Sequence, residues 1–254
     1  MDHMLTAAAA NCAGAYREWA ARTGHTTALW PDLSVSDLGL PTSVPIDSAC
    51  LLHGFDSPTA LDDAIDRAEA VFQRDAGGPI EIWSAWPTAD LTVRGYALFH
   101  VPALVRPAGG DPPPLPPGLQ VHTARSAADL ADASRLVDAA FDCHAPQPEA
   151  LITESVLGDD LQVFLGRVDG LAVATSIAFV SHGFCGVYAV ATAADARGRG
   201  YGEAVSWAAT RYRPDLPATL QASDMGLPVY RRMGYEVFGQ FAVWEGPRPT
   251  RSTT

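Results

Sequence analysis

Residues 107–118 read Pro-Ala-Gly-Gly-Asp-Pro-Pro-Pro-Leu-Pro-Pro-Gly. Proline lacks a backbone N–H and fixes φ, so this stretch can be neither a helix nor a central strand. It is expected to be a semi-rigid linker. It separates an N-terminal part, 1–106, from a C-terminal part, 119–246, with a short tail at 247–254. A chain of 254 residues can bury one large core or two small ones. With 48% hydrophobic and 18% charged residues it reads as globular rather than disordered.

Charge and composition exclude several classes. The net charge of −12 argues against nucleic acid as a partner, because phosphate contacts dominate such binding; it permits a cationic substrate. All 17 basic residues are arginine, which with the Ala, Gly, Pro and Asp richness reads as codon bias. No apolar run approaches the roughly 18–20 residues that span a membrane, and the start lacks a basic region followed by an apolar one. A cytoplasmic chain with no membrane partner is the expectation, as a monomer or homodimer. Cys12, Cys50, Cys143 and Cys185 are far apart, and the histidines are scattered. No metal site is expected, and the thiols read as buried and reduced.

The C-terminal part reads as α/β. Strands are expected at Leu119–Thr123, Gly186–Thr192 and Ala218–Ala222, and Leu161–Val168 and Leu171–Ser181 form a hairpin around Asp169-Gly170. Ser126, with Asp129 three residues on, caps a helix to about Asp142 whose apolar face carries Leu130, Ala133, Val137 and Phe141. A weaker helix is expected over Pro148–Leu157. Further helices cover Gly202–Tyr212 and Leu227–Met233, before one or two closing strands over Glu236–Trp244.

In the N-terminal part the pattern predicts helices at Leu5–Thr23 and Pro58–Asp75, and strands at Asp47–His53, Pro79–Trp83 and Tyr96–Val105. A helical turn is expected at Thr88–Val93. The order strand–helix–strand–turn–Gly-Tyr–strand parallels residues 187–243, with Gly95-Tyr96 matching Gly234-Tyr235. This suggests a degenerate internal repeat. Leu29–Pro45, rich in Pro and Ser, is either a lid or a passive surface loop. Trp19, Trp30, Trp83 and Trp86 are expected in the core.

The sharpest chemical signal is Val190-Ala-Thr-Ala-Ala-Asp-Ala-Arg197-Gly198-Arg199-Gly200-Tyr201-Gly202. An apolar strand runs into an Arg/Gly loop, and a helix follows. Glycines permit a tight turn and close approach of a ligand. The helix start offers free N–H groups to a phosphate, and Arg197 and Arg199 add full charges. The spacing is neither a P-loop nor a Rossmann fingerprint. It is R-x-x-G-x-G.

That pattern resembles the pyrophosphate loop of the GCN5-related N-acetyltransferases (GNAT family), and the resemblance covers about residues 119–246. Downstream, Tyr230 stands four residues before Gly234-Tyr235, where family members commonly place a general acid. The resemblance implies a mixed, mostly antiparallel sheet flanked by helices. It implies an acetyl-CoA or other short acyl-CoA co-substrate held by Val190, Ala191, Thr192, Arg197, Gly198, Arg199, Gly200, Tyr201, Gly202 and Ser223. Ser223 takes a place where many members carry Asn, and Ala194 one where many carry Pro.

The implied reaction is direct transfer of an acyl group to the amine of a small molecule, with Tyr230 protonating the thiolate. The base stays open among Asp142, His144, His182, Tyr188 and a water chain to a distant carboxylate. Alternatives are a CoA-binding sensor or inactive scaffold, or O-acylation or decarboxylation on the same fold. The N-terminal half lacks the Arg/Gly loop, having only Gly54-Phe-Asp-Ser57, and has Leu91 where Tyr230 would fall. It is expected not to bind CoA, but to extend the sheet or wall the acceptor pocket.

Overall fold

The computed structural model describes residues 2–72 and 77–249. Two compact units emerge, one of residues 1–102 and 239–254, the other of residues 103–238. The sequence reading placed 239–246 with the C-terminal half; here Gly239 onward groups with the N-terminal unit.

In the first unit, α1 (Asp2–Arg22) precedes β1 (Thr26–Leu29), β2 (Leu33–Asp37), β3 (Ser48–Leu51), α2 (Pro58–Phe72) and β4 (Ile80–Ser84). The strand order is β1-β2-β3-β4-β11, where β11 (Glu236–Gly246) comes from the far end of the chain. Only the β3/β4 pair is parallel, because α2 carries the chain back between them. Alternation divides the sheet. Leu33, Val35, Ala49, Leu51, Ile80 and Ile82 meet Leu61, Ile65, Ala68 and Phe72 of α2 in one core. The intervening residues Ser34, Ser36, Ser48 and Glu81 are buried too, although polar.

That polarity corrects the reading of 29–45 as a lid or surface loop. β2 runs through it and is buried throughout, and β1 ends at its first residue, Leu29. The expected end of α2 at Asp75 lies outside the described residues. Its last described turn ends at Phe72, fully buried.

The second unit has the strand order β5-β10-β9-β8-β7-β6. These are β5 (Ala97–Arg106), β6 (Leu119–Thr123), β7 (Leu161–Val168), β8 (Leu171–Ser181), β9 (Phe184–Thr192) and β10 (Ala218–Gln221). Residues 103–106 of β5 pair antiparallel with β10, and β9/β10 is parallel. The helices are α3 (Ala127–Phe141), α4 (Tyr201–Thr210) and α5 (Leu227–Arg232). Both units therefore hold a mixed, mostly antiparallel sheet flanked by helices.

The two units also repeat a detail. Gly95 and Gly234 both have φ +85 after a helical turn. Tyr96 N–H donates to Leu91 O at 3.3 Å, and Tyr235 N–H to Tyr230 O at 3.0 Å. Both tyrosine rings are buried.

Local chemistry explains the hits and a miss. Ser126 Oγ accepts from Asp129 N–H at 3.1 Å, capping α3. Asp169 and Gly170 both have positive φ, as a two-residue hairpin turn requires. The helix expected over Pro148–Leu157 is instead two short 3₁₀ turns, Pro148–Ala150 and Glu154–Val156. Thr153 is extended between them, and Ser134 Oγ of α3 bonds both N–H and C=O of Ile152, at 2.8 and 3.1 Å. Those side-chain bonds replace the ones a continuous helix would make. The segment 107–118 forms neither helix nor strand, and Gly109 N–H bonds Pro214 O at 2.9 Å.

The first unit carries unusual buried charge. Arg248 reaches Asp37 at 2.9 Å and Asp47 at 3.3 Å, with all three side chains 5% exposed or less. Burial pushes the Asp47 carboxyl up to about 6, against hydrogen bonds from the N–H groups of Leu38 and Leu40. Burial likewise pushes Glu81 up to about 6, against hydrogen bonds from Trp83 Nε1 and Ser43 Oγ. Both acids hold their protons in the folded chain more tightly than in the unfolded one. Their stabilisation is present below about pH 4 and is lost as pH rises toward 6, at roughly 2–3 kcal/mol each. The melting midpoint is expected to fall between pH 5 and pH 7, and Glu81→Gln should shrink that fall. An unchanged pH dependence in the variant, measured by circular dichroism, contradicts this account.

Candidate active site

The site begins where two parallel strands part. β9 and β10 pair only through Cys185–Ala218 and Gly186–Thr219. Beyond Gly186, β9 has no described partner on that side. On its other side the β8 register shifts between Thr175 and Ile177, and Ala189 takes φ +48. This β-bulge twists the strand. Residues 187–192 have no β10 partner among the described residues.

The chain then turns through a short 3₁₀ segment, Ala194–Ala196, into the Arg/Gly loop. Gly198 and Gly200 have φ +76 and +82, which side chains resist. Nothing lies within 4 Å of where a Cβ on Gly198 would stand. The cap of α4 is Gly200, which has no side chain to bond the N–H groups of the first turn. A Cβ on Gly202 would come 2.8 Å from Thr192 Oγ1. Only glycine lets the helix start sit that close to the strand end.

A cavity of about 540 Å³ opens here. Its wall includes Val190, Ala191, Thr192, Arg197, Gly198, Gly200, Tyr201, Gly202, Ser223 and Tyr230. The candidate bases Asp142, His144, His182 and Tyr188 are absent from that wall, as is Arg199. Its guanidinium donates to Asp195 O at 3.3 Å, and that of Arg197 to Thr192 O at 3.3 Å. Among the described residues neither arginine pairs with a carboxylate, so the loop keeps its positive charge. The Tyr201 side chain packs in an apolar cluster with Leu119 and Val205, leaving its backbone N–H for the site. Ser223 Oγ accepts from Gly226 N–H at 3.3 Å at the start of α5.

Tyr230 is 8% exposed on α5. Burial pushes its hydroxyl up to about 12, against the opposing pull of a hydrogen bond with Ser206. Ser206 Oγ itself donates to Gly202 O at 2.8 Å. Ser206 lines the cavity but was not singled out in the sequence. Its spacing four residues after Gly202 on one helix face was the available signal. Glu203 and Arg232 also line the cavity and pair at 3.1 Å. Phe141, expected on the core face of α3, is 39% exposed and lines the cavity with Ala140.

The candidate bases scatter. His182 lies in the exposed turn before β9, at the opposite strand end from Thr192. Nine residues of strand separate that turn from the loop, roughly 30 Å at 3.3 Å per residue. Tyr188 is buried beside the bulge. Asp142 and His144 pair at 3.2 Å just after α3.

The donor set fits an elongated anion with an apolar arm. The wall places glycine N–H groups and the Arg197 guanidinium beside strand-end amides and the Tyr230 hydroxyl. In the first unit the corresponding turn is closed. Gly54 lies against the Trp86 ring, with a Cβ there 3.4 Å from it.

No protein-family model matches the sequence, and no curated protein matches it. Solved structures do. A GCN5-related N-acetyltransferase from Kribbella flavida aligns at TM-score 0.64 and 19% identity, over 87% of this chain and 89% of that one. A GCN5-related N-acetyltransferase from Sphaerobacter thermophilus aligns at TM-score 0.55 and 14% identity, over 86% and 77%. A tandem GNAT protein from the clavulanic acid biosynthesis pathway, solved without AcCoA, aligns at TM-score 0.55 and 14% identity, over 87% and 79%. Coverage of that extent takes in residues of both units. The chain has the fold of the GCN5-related N-acetyltransferases.

Proposed function

We propose that the chain is an acyl-CoA-dependent N-acyltransferase, with acetyl-CoA as co-substrate and the amine of a small molecule as acceptor. The observation that carries this reading is the convergence, in one cavity, of the uncapped α4 start, the unpartnered end of β9 and the Tyr230 hydroxyl. The anionic diphosphate suits the glycine N–H groups and the arginines of 197–202. Strand-end amides at 190–192 polarise a carbonyl, with oxyanion-type stabilisation worth about 3 kcal/mol per donor.

The thioester supplies an activated acyl group with a thiol leaving group. Tyr230 stays protonated at neutral pH, as a donor must. In water a complete proton transfer from a phenol near 10 to a thiolate near 8.5 is uphill by about 2 kcal/mol, and burial of Tyr230 raises its hydroxyl further, to about 12. The apolar cavity narrows that gap by raising the thiol as well. Tyr230 therefore acts chiefly through a hydrogen bond to sulfur as charge develops, giving up its proton as the bond breaks.

CoA release, followed with a thiol reagent against a panel of amines, tests the activity. No release with any amine from a folded, CoA-binding chain overturns it in favour of a CoA-binding sensor. Tyr230→Phe is expected to lower kcat about 10²-fold while leaving CoA affinity within a few-fold. Loss of affinity with unchanged kcat contradicts the assigned role. Gly202→Ala places a methyl 2.8 Å from Thr192 Oγ1 and should weaken CoA binding roughly tenfold or more by calorimetry, as overpacking shifts the helix start. Undiminished CoA affinity in that variant contradicts a diphosphate site at this turn.

A further inference from the structure

α4 presents two faces. Gly202 and Ser206 line the cavity described above, and the fully buried Val205 and Ala209 share their side of the helix. At about 100° per residue, Gly200, Ala204, Trp207, Ala208 and Arg211 lie roughly opposite. The face of a helix turned away from its core is ordinarily polar. Here it is mostly apolar, and the proline-rich segment 107–118 runs across it.

Contacts at both ends fix that segment along α4. Gly109 N–H donates to Pro214 O at 2.9 Å, past the end of the helix. Pro116 stands at the helix start, its Cγ 3.3 Å from where a Cβ on Gly200 would lie. Residues 109–116 therefore run antiparallel to α4. Between these anchors Pro112, Pro113 and Pro114 have no N–H and a fixed φ, so they bridge the helix without collapsing onto it. A cavity of about 550 Å³ is left beneath them, with Gly200, Ala204 and Ala208 as its floor. Its size and apolar lining suit a small ligand.

One corner of this cavity is positive. Arg211 lines it and, among the described residues, pairs with no carboxylate. Trp207 lines it too, with the Arg106 guanidinium 4.7 Å over its ring. Arg106 donates to the carbonyls of Pro107, Gly109 and Met233, which leaves its charge unneutralised. The Trp207 Nε1 is a buried donor without a hydrogen-bond partner among the described residues, a condition that folded chains seldom keep. Glu203 also lines the cavity, but its carboxylate is taken by Arg232 at 3.1 Å. In a chain with 29 acidic and 17 basic residues, two arginines free of carboxylates around one indole make a local excess of positive charge. We propose that this cavity binds a small carboxylate with an apolar body, the carboxylate on Arg211 and the body between the prolines and Ala204 and Ala208. The site shares Gly200 and Glu203 with the first cavity but lies across the helix from Gly202 and Ser206. It does not depend on the acyl-transfer reading.

The test titrates the full chain, with CoA in excess, by calorimetry. The probes are 2-naphthoate and its uncharged relative 2-naphthylmethanol. The acid should bind at one site per chain, and the alcohol about tenfold more weakly, since a hydrogen bond to a charged group is lost. Arg211→Gln should weaken the acid about tenfold and leave the alcohol within about twofold. Ala208→Trp, which fills the cavity from its floor, should abolish binding of both, with melting midpoints confirming that each variant folds. If Ala208→Trp does not fold, the response of Arg211→Gln decides. No binding of the acid to the wild-type chain, equal affinity for acid and alcohol, or undiminished acid binding by Arg211→Gln overturns the proposal. So does acid that binds only when CoA is left out, which would put it in the first cavity. Because no turnover is read, failure of the acyl-transfer reading leaves this result standing.

Discussion

Two parallel strands that stop pairing after two residues make the site. β9 and β10 are held together at Cys185 and Gly186, then diverge. A strand inside a sheet spends its N–H and C=O groups on its neighbours. One that loses a neighbour must find other partners for them. The bulge at Ala189 adds twist at the same place. There, a helix start without a side-chain cap brings the same kind of unmet donors from the other direction. One cavity therefore collects backbone N–H groups from two elements.

Side chains complete this frame. Thr192 and Gly202 fit because glycine lacks the Cβ that would press on the threonine hydroxyl. Ser206 Oγ donates to Gly202 O within α4, and Ser206 shares the cavity wall with Tyr230. The Glu203–Arg232 pair joins α4 to α5 at the rim. As an exposed pair it contributes little to stability; its consequence is that Glu203 is occupied.

The first unit shows the same order of elements put to a different end. β3 and β4 are parallel around α2, as β9 and β10 are around α4. A left-handed glycine and a buried tyrosine close both helical turns. Where the second unit opens, the first is filled by Trp86 against Gly54, and Leu91 replaces the phenol. Its unusual feature is instead a buried polar layer. Ser34, Ser36, Ser48, Asp37, Asp47 and Glu81 are all shielded from solvent.

Local signals were enough for much of this. The bounds of β6, β7 and β8 were legible from alternation and from Asp169-Gly170, because a two-residue turn and a period of two are properties of adjacent residues. The Arg/Gly loop and the Tyr230 spacing were legible for the same reason. β2 was not, since its alternate positions carry Ser34 and Ser36, and only pairing with β1 and β3 makes those buried polar residues strand. The break after Ile152 needed Ser134, eighteen residues upstream. The partners of Tyr230 and Asp47 likewise come from other elements. What the sequence alone determined was where helices, turns and glycine-dependent conformations fall, because these depend on neighbours in the chain. What tertiary structure decided was which strands part, which carboxylates lose water and which side chains share a cavity, because each depends on residues that only folding brings together.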